Sequence, residues 1–369
     1  MATQEFKLES LKSYTTDNKV IHVSKDEEIN QKLIRILGPT FAEYRKLWDA
    51  ANAFELETDF PLFLHIELAQ KCNLRCPYCS QGIPEVRKKY LDPRAKMDWD
   101  TYQRIILEGE EHKCPSMSPQ GIDEPLLNPE LEKFISFAHH HGYMDIMMNT
   151  NATHLTEERS RKLLDSGLTR LRFSLDAVTP ETYKKVRIGA DYTKVHRNIE
   201  RFLELKASGG YQLPIVGVSF VRNKLNEHEV DEFIARWEDK VDIVTIQEFI
   251  PPETDGDYSR FYPTKSRVRD DMMDGFKCVQ PWQRVLIRNT GEVCPCCAMF
   301  SKDLSVGNVR DHTIHSLWNS PEMKQMRGIH KAGKYWENTI CLKCVNSILM
   351  KPGSTELFRL DPLGKGPGR

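Results

Sequence analysis

The stretch Cys72-Asn73-Leu74-Arg75-Cys76-Pro77-Tyr78-Cys79 sets three thiols within eight residues. Thiolates at this spacing can wrap one face of an iron–sulfur cube, and such clusters usually take four cysteine ligands. A set of three leaves one iron with an open position, much as a catalytic zinc site keeps a place for water or substrate. The alternative is a zinc ion whose fourth ligand lies elsewhere in the chain. A second set sits far downstream: Cys278, Cys294, Cys296, Cys297, Cys341 and Cys344. With Cys114 the count is ten. The start, MATQEFKLESLKSYTTDNK, lacks the apolar core of a secretory signal, so a cytoplasmic location and reduced thiols are expected. Clustering then favours metal over disulfides, with a zinc ribbon as the alternative for the second set.

These groups must be positioned by regular elements. From residue 62 a strand–helix alternation runs through Leu62–Glu67, Cys114–Ser118, Met144–Met148, Arg170–Leu175, Ile215–Val221 and Ile243–Phe249. Asn128-Pro129 and Thr179-Pro180 offer an N-cap followed by proline at the first helical position. Gly167 is a C-terminal stop, and Val195, Ile199, Phe202 and Leu203 line one face of a helix near 192–208. Six βα units in a row imply a parallel sheet with helices outside, doubly wound or a partial barrel. Either way the site lies at the C-terminal strand ends, where the three-thiol stretch begins. In a barrel, residues two apart face the lumen: His65 and Glu67 in the first strand, Arg172, Ser174 and Asp176 in and beyond the fourth. For His65 a structural hydrogen-bond layer is the plainer reading.

Upstream, Ser24 to Glu27 reads as a capping box and Thr40 to Glu43 opens a second helix, with Gly38-Pro39 between them. These helices pack against the main domain or form a substrate lid. The expected divisions are a helical extension over 1–60, a barrel over 61–255, a metal-organised domain over 270–350 and a loose tail over 351–369. The histidines His139 to His141 look metal-like, but neighbours on a helix do not share a face, and the helix dipole explains them better. Trp282, Trp318 and Trp336 read as core of the small domain.

Composition narrows the classes. The chain of 369 residues is 40% hydrophobic and 28% charged, enough for a sizeable core. A formal net charge of −1 argues against nucleic acid or an anionic membrane as the main partner. Its apolar runs are strand-sized, short of a membrane span.

The three-thiol stretch resembles the CxxxCxΦC signature of radical S-adenosylmethionine enzymes, with Tyr78 as the aromatic. The resemblance implies that the open iron is chelated by the amino and carboxylate groups of S-adenosylmethionine. Its reductive cleavage then gives a 5′-deoxyadenosyl radical that abstracts a substrate hydrogen. GIDEPLLNPEL resembles the family's GGEPLL motif, which implies that Gly121, Asp123 and Glu124 meet the cofactor's amino group. Here Asp123 stands in place of the usual second glycine. NTNAT, with Thr150 and Asn151, looks like the family's TNG/TNA turn. FSLDAVTPETYKKVRIGADYTKVHRNI looks like its fourth-strand region, which implies Ser174, Asp176 and Arg187 as holders of ribose and carboxylate. The second cysteine set resembles the SPASM domain, with Gly291-x4-Cys296 as its core. This implies Cys278, Cys296, Cys341 and Cys344 as ligands of one auxiliary [4Fe-4S] cluster, with Cys294 or Cys297 able to replace Cys296. The single CxxC layout is similar to that of 2-deoxy-scyllo-inosamine dehydrogenases.

The expected architecture is therefore α/β, a partial (β/α)6 TIM-like barrel with an N-terminal helical extension and a small C-terminal Fe–S domain. The expected reaction is oxidation of a secondary alcohol of a sugar or aminocyclitol, with epimerisation or maturation of a ribosomally made peptide as alternatives. A flavodoxin or ferredoxin-type electron donor is implied. Oxidation also needs a proton acceptor, for which Glu67, Glu248 and Asp257 are candidates. Epimerisation needs a hydrogen donor, for which Cys114, Cys294 and Cys297 are the spare thiols. Each of these reads more plainly as a packed cysteine.

Overall fold

The computed structural model describes residues 20–23, 26–253, 256–264 and 276–349. Its first elements are β1 (Val20–Val23), α1 (Asp26–Leu37) and α2 (Pro39–Asn52). One residue separates the two helices: Gly38, at φ 81°, donates its N–H to the Ile34 carbonyl and closes α1. Pro39 then opens α2 with no side-chain cap, one residue before the expected start at Thr40. The predicted cap at Ser24 and the tail 351–369 lie outside the described residues.

Helices α1 and α2 bury Ile29, Leu33, Phe41, Tyr44 and Ala51 against Leu62, Ile215 and Ile243. Those last three stand where strands begin. The Tyr44 hydroxyl donates to Ser116 Oγ at 3.3 Å, and Lys32 pairs with Asp242 at 2.7 Å, again at strand starts. The helices therefore plug the N-terminal end of the sheet. A lid would have to sit at the opposite end, so of the two readings the packing role is the one the contacts carry.

All six predicted strands form: β2 (Phe63–Ile66), β3 (Ser116–Ser118), β4 (Asp145–Thr150), β5 (Arg170–Ser174), β6 (Ile215–Arg222) and β7 (Ile243–Glu248). They lie in sequence order and are parallel. A doubly wound sheet would reverse direction at a switch point, and this one does not. It is a partial barrel, open between its ends, with β1 added antiparallel on β7.

Between the strands lie α3 (Pro84–Tyr90), α4 (Trp99–Glu111), α5 (Leu131–His140), α6 (Glu157–Asp165), α7 (Pro180–Val186), α8 (Tyr192–Ser208) and α9 (Val230–Trp237). Their apolar faces meet the outward side of the sheet. Phe173 of β5 meets Phe202 of α8 edge-on, at 5.7 Å between centroids, both fully buried. Each side chain buried in this way contributes roughly 1.5–3 kcal/mol. Thr179 caps α7, accepting from the Thr182 N–H, and Gly167 at φ 86° follows α6, both as expected. Asn128 does not cap α5: its Oδ1 takes the Glu130 N–H in a turn, and the helix starts at Leu131.

The C-terminal part comprises α10 (Gln280–Gln283), β8 (Arg284–Ile287), β9 (Glu292–Cys294), β10 (Gly307–Asn308), α11 (Ile314–Trp318), α12 (Pro321–Lys331) and α13 (Thr339–Leu349). Strand β8 pairs parallel with β2 from Phe63↔Arg284 to Ile66↔Ile287. The expected second domain thus shares a sheet with the barrel. Helices α11 and α12 also grip the segment before β2: Trp318 Nε1 donates to the Thr58 carbonyl at 2.7 Å, and Arg327 pairs with Glu57 at 2.7 Å. Trp318 and Trp282 are buried and Trp336 is half-buried. Among the described residues no helix is long and apolar enough to cross a membrane.

Candidate functional site

The loop after β2 carries Cys72, Cys76 and Cys79. It folds through short backbone bonds, Cys79 N–H to Cys76 C=O and Gly82 N–H to Cys79 C=O. A Cβ at Gly82 would stand 2.0 Å from the Cys76 carbonyl oxygen, so only glycine lets the loop close. The loop also leans on two other segments. The Arg75 N–H donates to the Ile188 carbonyl, beyond α7. Asn73 donates to Thr153 Oγ1 at 2.9 Å, and Asn151 Nδ2 reaches Asn73 Oδ1 at 3.1 Å and Cys72 Sγ at 3.9 Å.

Glu124 fastens these segments together. Its backbone N–H donates to the Lys71 carbonyl, and its buried carboxylate accepts from Thr150 Oγ1 (2.6 Å), Asn151 N–H (2.7 Å) and Leu126 N–H (3.0 Å). Burial pushes this carboxyl up, and the donors oppose that. Asp123 beside it accepts from the Gly121 N–H at 2.8 Å. Burial, helped by Glu67 and Glu124, pushes its carboxyl up to about 8.

Tyr78, Asp176 and Arg187 form a second knot. The Tyr78 hydroxyl donates to Asp176 Oδ2 at 2.5 Å, and its ring packs edge-on against Phe249 and Phe261. Arg187 pairs with the same oxygen at 2.7 Å and sets Nη1 3.9 Å from Cys76 Sγ. Asp176 Oδ1 takes the Val221 N–H. Both oxygens of Asp176 are thus engaged by protein donors. Ser174 lies half-buried in register with Ser219.

The side of β5 that turns away from the helices is polar. Along β5, Leu171 and Phe173 are buried in the core while Arg170, Arg172 and Ser174 alternate with them half-buried. Arg170 is tied to Asp145 near the bottom, at 2.8 Å. His65 is half-buried on β2, with both ring nitrogens buried and without a partner.

The three carboxylates expected as proton acceptors separate sharply. Glu248 is locked by Arg222, whose Nε donates at 3.0 Å. Asp257 is exposed, and the Ser259 N–H lowers its pKa. Glu67 is 1% exposed, and burial raises its pKa against the opposing charge of Arg288. Its Oε1 accepts from Gln70 and from the Asn289 N–H, while Oε2 has no partner. A Cβ at Gly121 would strike Glu67 Cγ at 2.5 Å. Nothing local to Glu67 signals the approach of Arg288 and Asn289, because it follows from the pairing of β8 with β2.

In the C-terminal part, Cys341 and Cys344 stand one turn apart on α13, and Cys278 and Cys296 come from the loops before α10 and after β9. Burial above all, and then Cys296, Cys278, Cys341 and Cys297 nearby, raise the pKa of Cys344, so five thiols lie in one neighbourhood. Burial pushes Cys278 and Cys341 up to about 12. Cys294 is fully buried in β9, with its sulfur taken by Arg288 and Ser301. Cys297 is exposed and clasped by Gln280, which donates to its sulfur at 3.4 Å and accepts from its N–H at 2.8 Å. Cys114 is buried under β3.

The spacing of the thiols bears on what they can hold. Among the described residues, no three cysteine sulfurs lie within 4.8 Å of one another. A zinc ion holds its sulfurs about 2.3 Å away, which puts them roughly 4 Å apart. The trio that does meet the distance is Asp59, His112 and His315. Its two imidazoles are stacked within 9° of parallel, at 4.8 Å between centroids. Lone pairs lie in the ring planes, so parallel rings do not converge on one ion. The trio instead joins α11 to α4.

Two family models match separate parts of the chain. Residues 66–236 match the radical SAM superfamily, and residues 278–345 match SPASM, an iron–sulfur cluster-binding domain. A relative from Pyrococcus furiosus, the tungsten-containing aldehyde ferredoxin oxidoreductase cofactor-modifying protein, is 26% identical over 76% of this chain and 86% of its own. The structure of BtrN in complex with AdoMet and 2-DOIA has a TM-score of 0.52 at 17% identity, covering 80% of this chain and 97% of BtrN. Streptococcus suis SuiB bound to precursor peptide SuiA has a TM-score of 0.55 at 15% identity, covering 78% and 71%. At these identities the solved structures share the fold alone.

Proposed function

We propose that this chain, a radical SAM enzyme with a C-terminal SPASM iron–sulfur domain, oxidises a secondary alcohol of a sugar-like or aminocyclitol substrate. Its cofactors are S-adenosylmethionine, a [4Fe-4S] cluster and an auxiliary iron–sulfur cluster. When bound, these groups supply a carbon radical that takes a hydrogen atom and a site that takes one electron. In this reading Cys72, Cys76 and Cys79 hold the first cluster and Cys278, Cys296, Cys341 and Cys344 the second. Gly121, Asp123, Thr150, Asn151 and Ser174 form the wall that S-adenosylmethionine lies against. Glu124, Tyr78, Asp176 and Arg187 hold that wall and the cysteine loop in place. A flavodoxin or ferredoxin-type protein delivers the electron that starts the reaction.

The observation that carries this reading is the completeness of the second thiol set. A cluster held by four cysteines would have no open position for substrate, which suits electron transfer. The polar side of β5 supports a hydroxylated substrate. Glu67 is the proton acceptor in this proposal: a buried carboxylate with a raised pKa and an oxygen without a partner is a stronger base than its exposed counterparts.

The test is anaerobic reconstitution, reduction and incubation with S-adenosylmethionine and a panel of cyclitols and sugars in deuterated water. Oxidation predicts a ketone formed in step with 5′-deoxyadenosine, with Glu67→Gln slowing ketone formation but not cofactor cleavage in the absence of substrate. Solvent deuterium fixed at the substrate carbon, with the alcohol retained, would establish epimerisation instead.

A further inference from the structure

We propose that Arg187 sets the reduction potential of the group held by Cys72, Cys76 and Cys79, as a positioning residue whose charge is aimed by Asp176. The inference rests on the reading of those three cysteines as cluster ligands. Arg187 is the C-terminal cap of α7, and its side chain is 12% exposed. One end of its guanidinium lies 3.9 Å from Cys76 Sγ and the other 2.7 Å from Asp176 Oδ2.

Asp176 is held from every side. It adopts a left-handed backbone, φ 62°, uncommon for a residue with a side chain. Its carbonyl accepts from Asn226 Nδ2 at 2.9 Å, and its carboxylate accepts from the Val221 N–H and the Tyr78 hydroxyl. Tyr78 itself belongs to the cysteine loop. The sulfur, the guanidinium, the carboxylate and the phenol therefore close a ring of contacts that returns to the loop it started from. The outcome is an ion pair with its positive end against one sulfur.

Two of the three sulfurs are treated differently. Cys72 receives neutral donors, the Leu74 N–H at 3.4 Å and Asn151 Nδ2 at 3.9 Å. Cys76 receives a cation. Reduction adds negative charge to an iron–sulfur cluster, so a nearby cation in a dry site favours the reduced form and raises the potential. The same arginine could instead serve the carboxylate of S-adenosylmethionine. The two roles separate when the cofactor is withheld.

The experiment measures the midpoint potential of the three-cysteine cluster by electron paramagnetic resonance against redox dyes, without S-adenosylmethionine, in the fully reconstituted enzyme. Arg187→Gln is expected to lower the reduced-to-oxidised ratio at a fixed potential about tenfold, equal to about 59 mV for a one-electron couple. Arg187→Lys should recover most of that. Asp176→Asn, which leaves the guanidinium uncompensated, should move the potential the opposite way. The auxiliary cluster is the internal control and should not move. An unchanged potential in Arg187→Gln with its iron retained overturns the proposal, as does an equal shift of both clusters. Should Arg187→Gln lose its iron, Asp176→Asn decides alone: a raised potential supports the proposal, and an unchanged or lowered one overturns it. The proposed reaction is judged separately, by ketone and 5′-deoxyadenosine formation.

Discussion

The two thiol sets are supported in opposite ways. The three-thiol loop sits on the rigid ends of parallel strands and is pinned by Glu124, Asn151 and Arg187 from separate βα loops. Its shape is built by the protein. The four-thiol set lies in a small cluster of Phe276, Met326, Tyr335, Cys341 and Val345. So few apolar side chains bury little area, and there the metal itself supplies folding energy. An open site must keep its geometry while one position changes occupant. A closed site need only be filled.

The sharpest way to break this contrast is to empty each site in turn. Cys76→Ala should bring 5′-deoxyadenosine formation to background and iron from about eight to about four per chain. Hydrogen exchange across the barrel should stay as it was. The double variant Cys341→Ala/Cys344→Ala should lose the same iron but deprotect amides across α12 and α13, with 5′-deoxyadenosine still formed. Equal loss of protection in both variants would remove the contrast. Glu124→Gln should cost about 1.5–3 kcal/mol in denaturant unfolding, because the amide cannot accept from every donor the carboxylate now serves. It should also weaken iron retention by the three-cysteine loop and leave the four-cysteine set alone. The smallest effect is expected for Thr179→Ala, which uncaps α7 at about 1 kcal/mol with no change in iron content.

Much of this was legible in the residues themselves. The six strands followed from apolar runs broken by turn signals, and the three thiols marked a strand end. Cys278, Cys296, Cys341 and Cys344 came from a motif, and the fold sets them in one neighbourhood with Cys297 among them. The illegible parts depend on contacts far apart in sequence. Nothing local says that Arg284–Ile287 pairs with Phe63–Ile66, so the shared sheet and the approach of Arg288 to Glu67 were hidden. Helices α1 and α2 displayed an apolar face but not which end of the barrel it would cover. Asn128-Pro129 misled because asparagine bonds its own turn as readily as it caps a helix.

The pairing of β8 with β2 also has a consequence in time. Strand β2 is followed by its neighbour β3 within about fifty residues, yet its other edge waits for a partner roughly 220 residues further on. At a synthesis rate of about 5–20 residues per second, that edge stays bare for roughly ten to forty seconds on the ribosome. During that interval the three cysteines just beyond it are already made. The sheet beside them is complete on one flank only, and the strand that covers the other flank comes from the part of the chain that carries the second cysteine set.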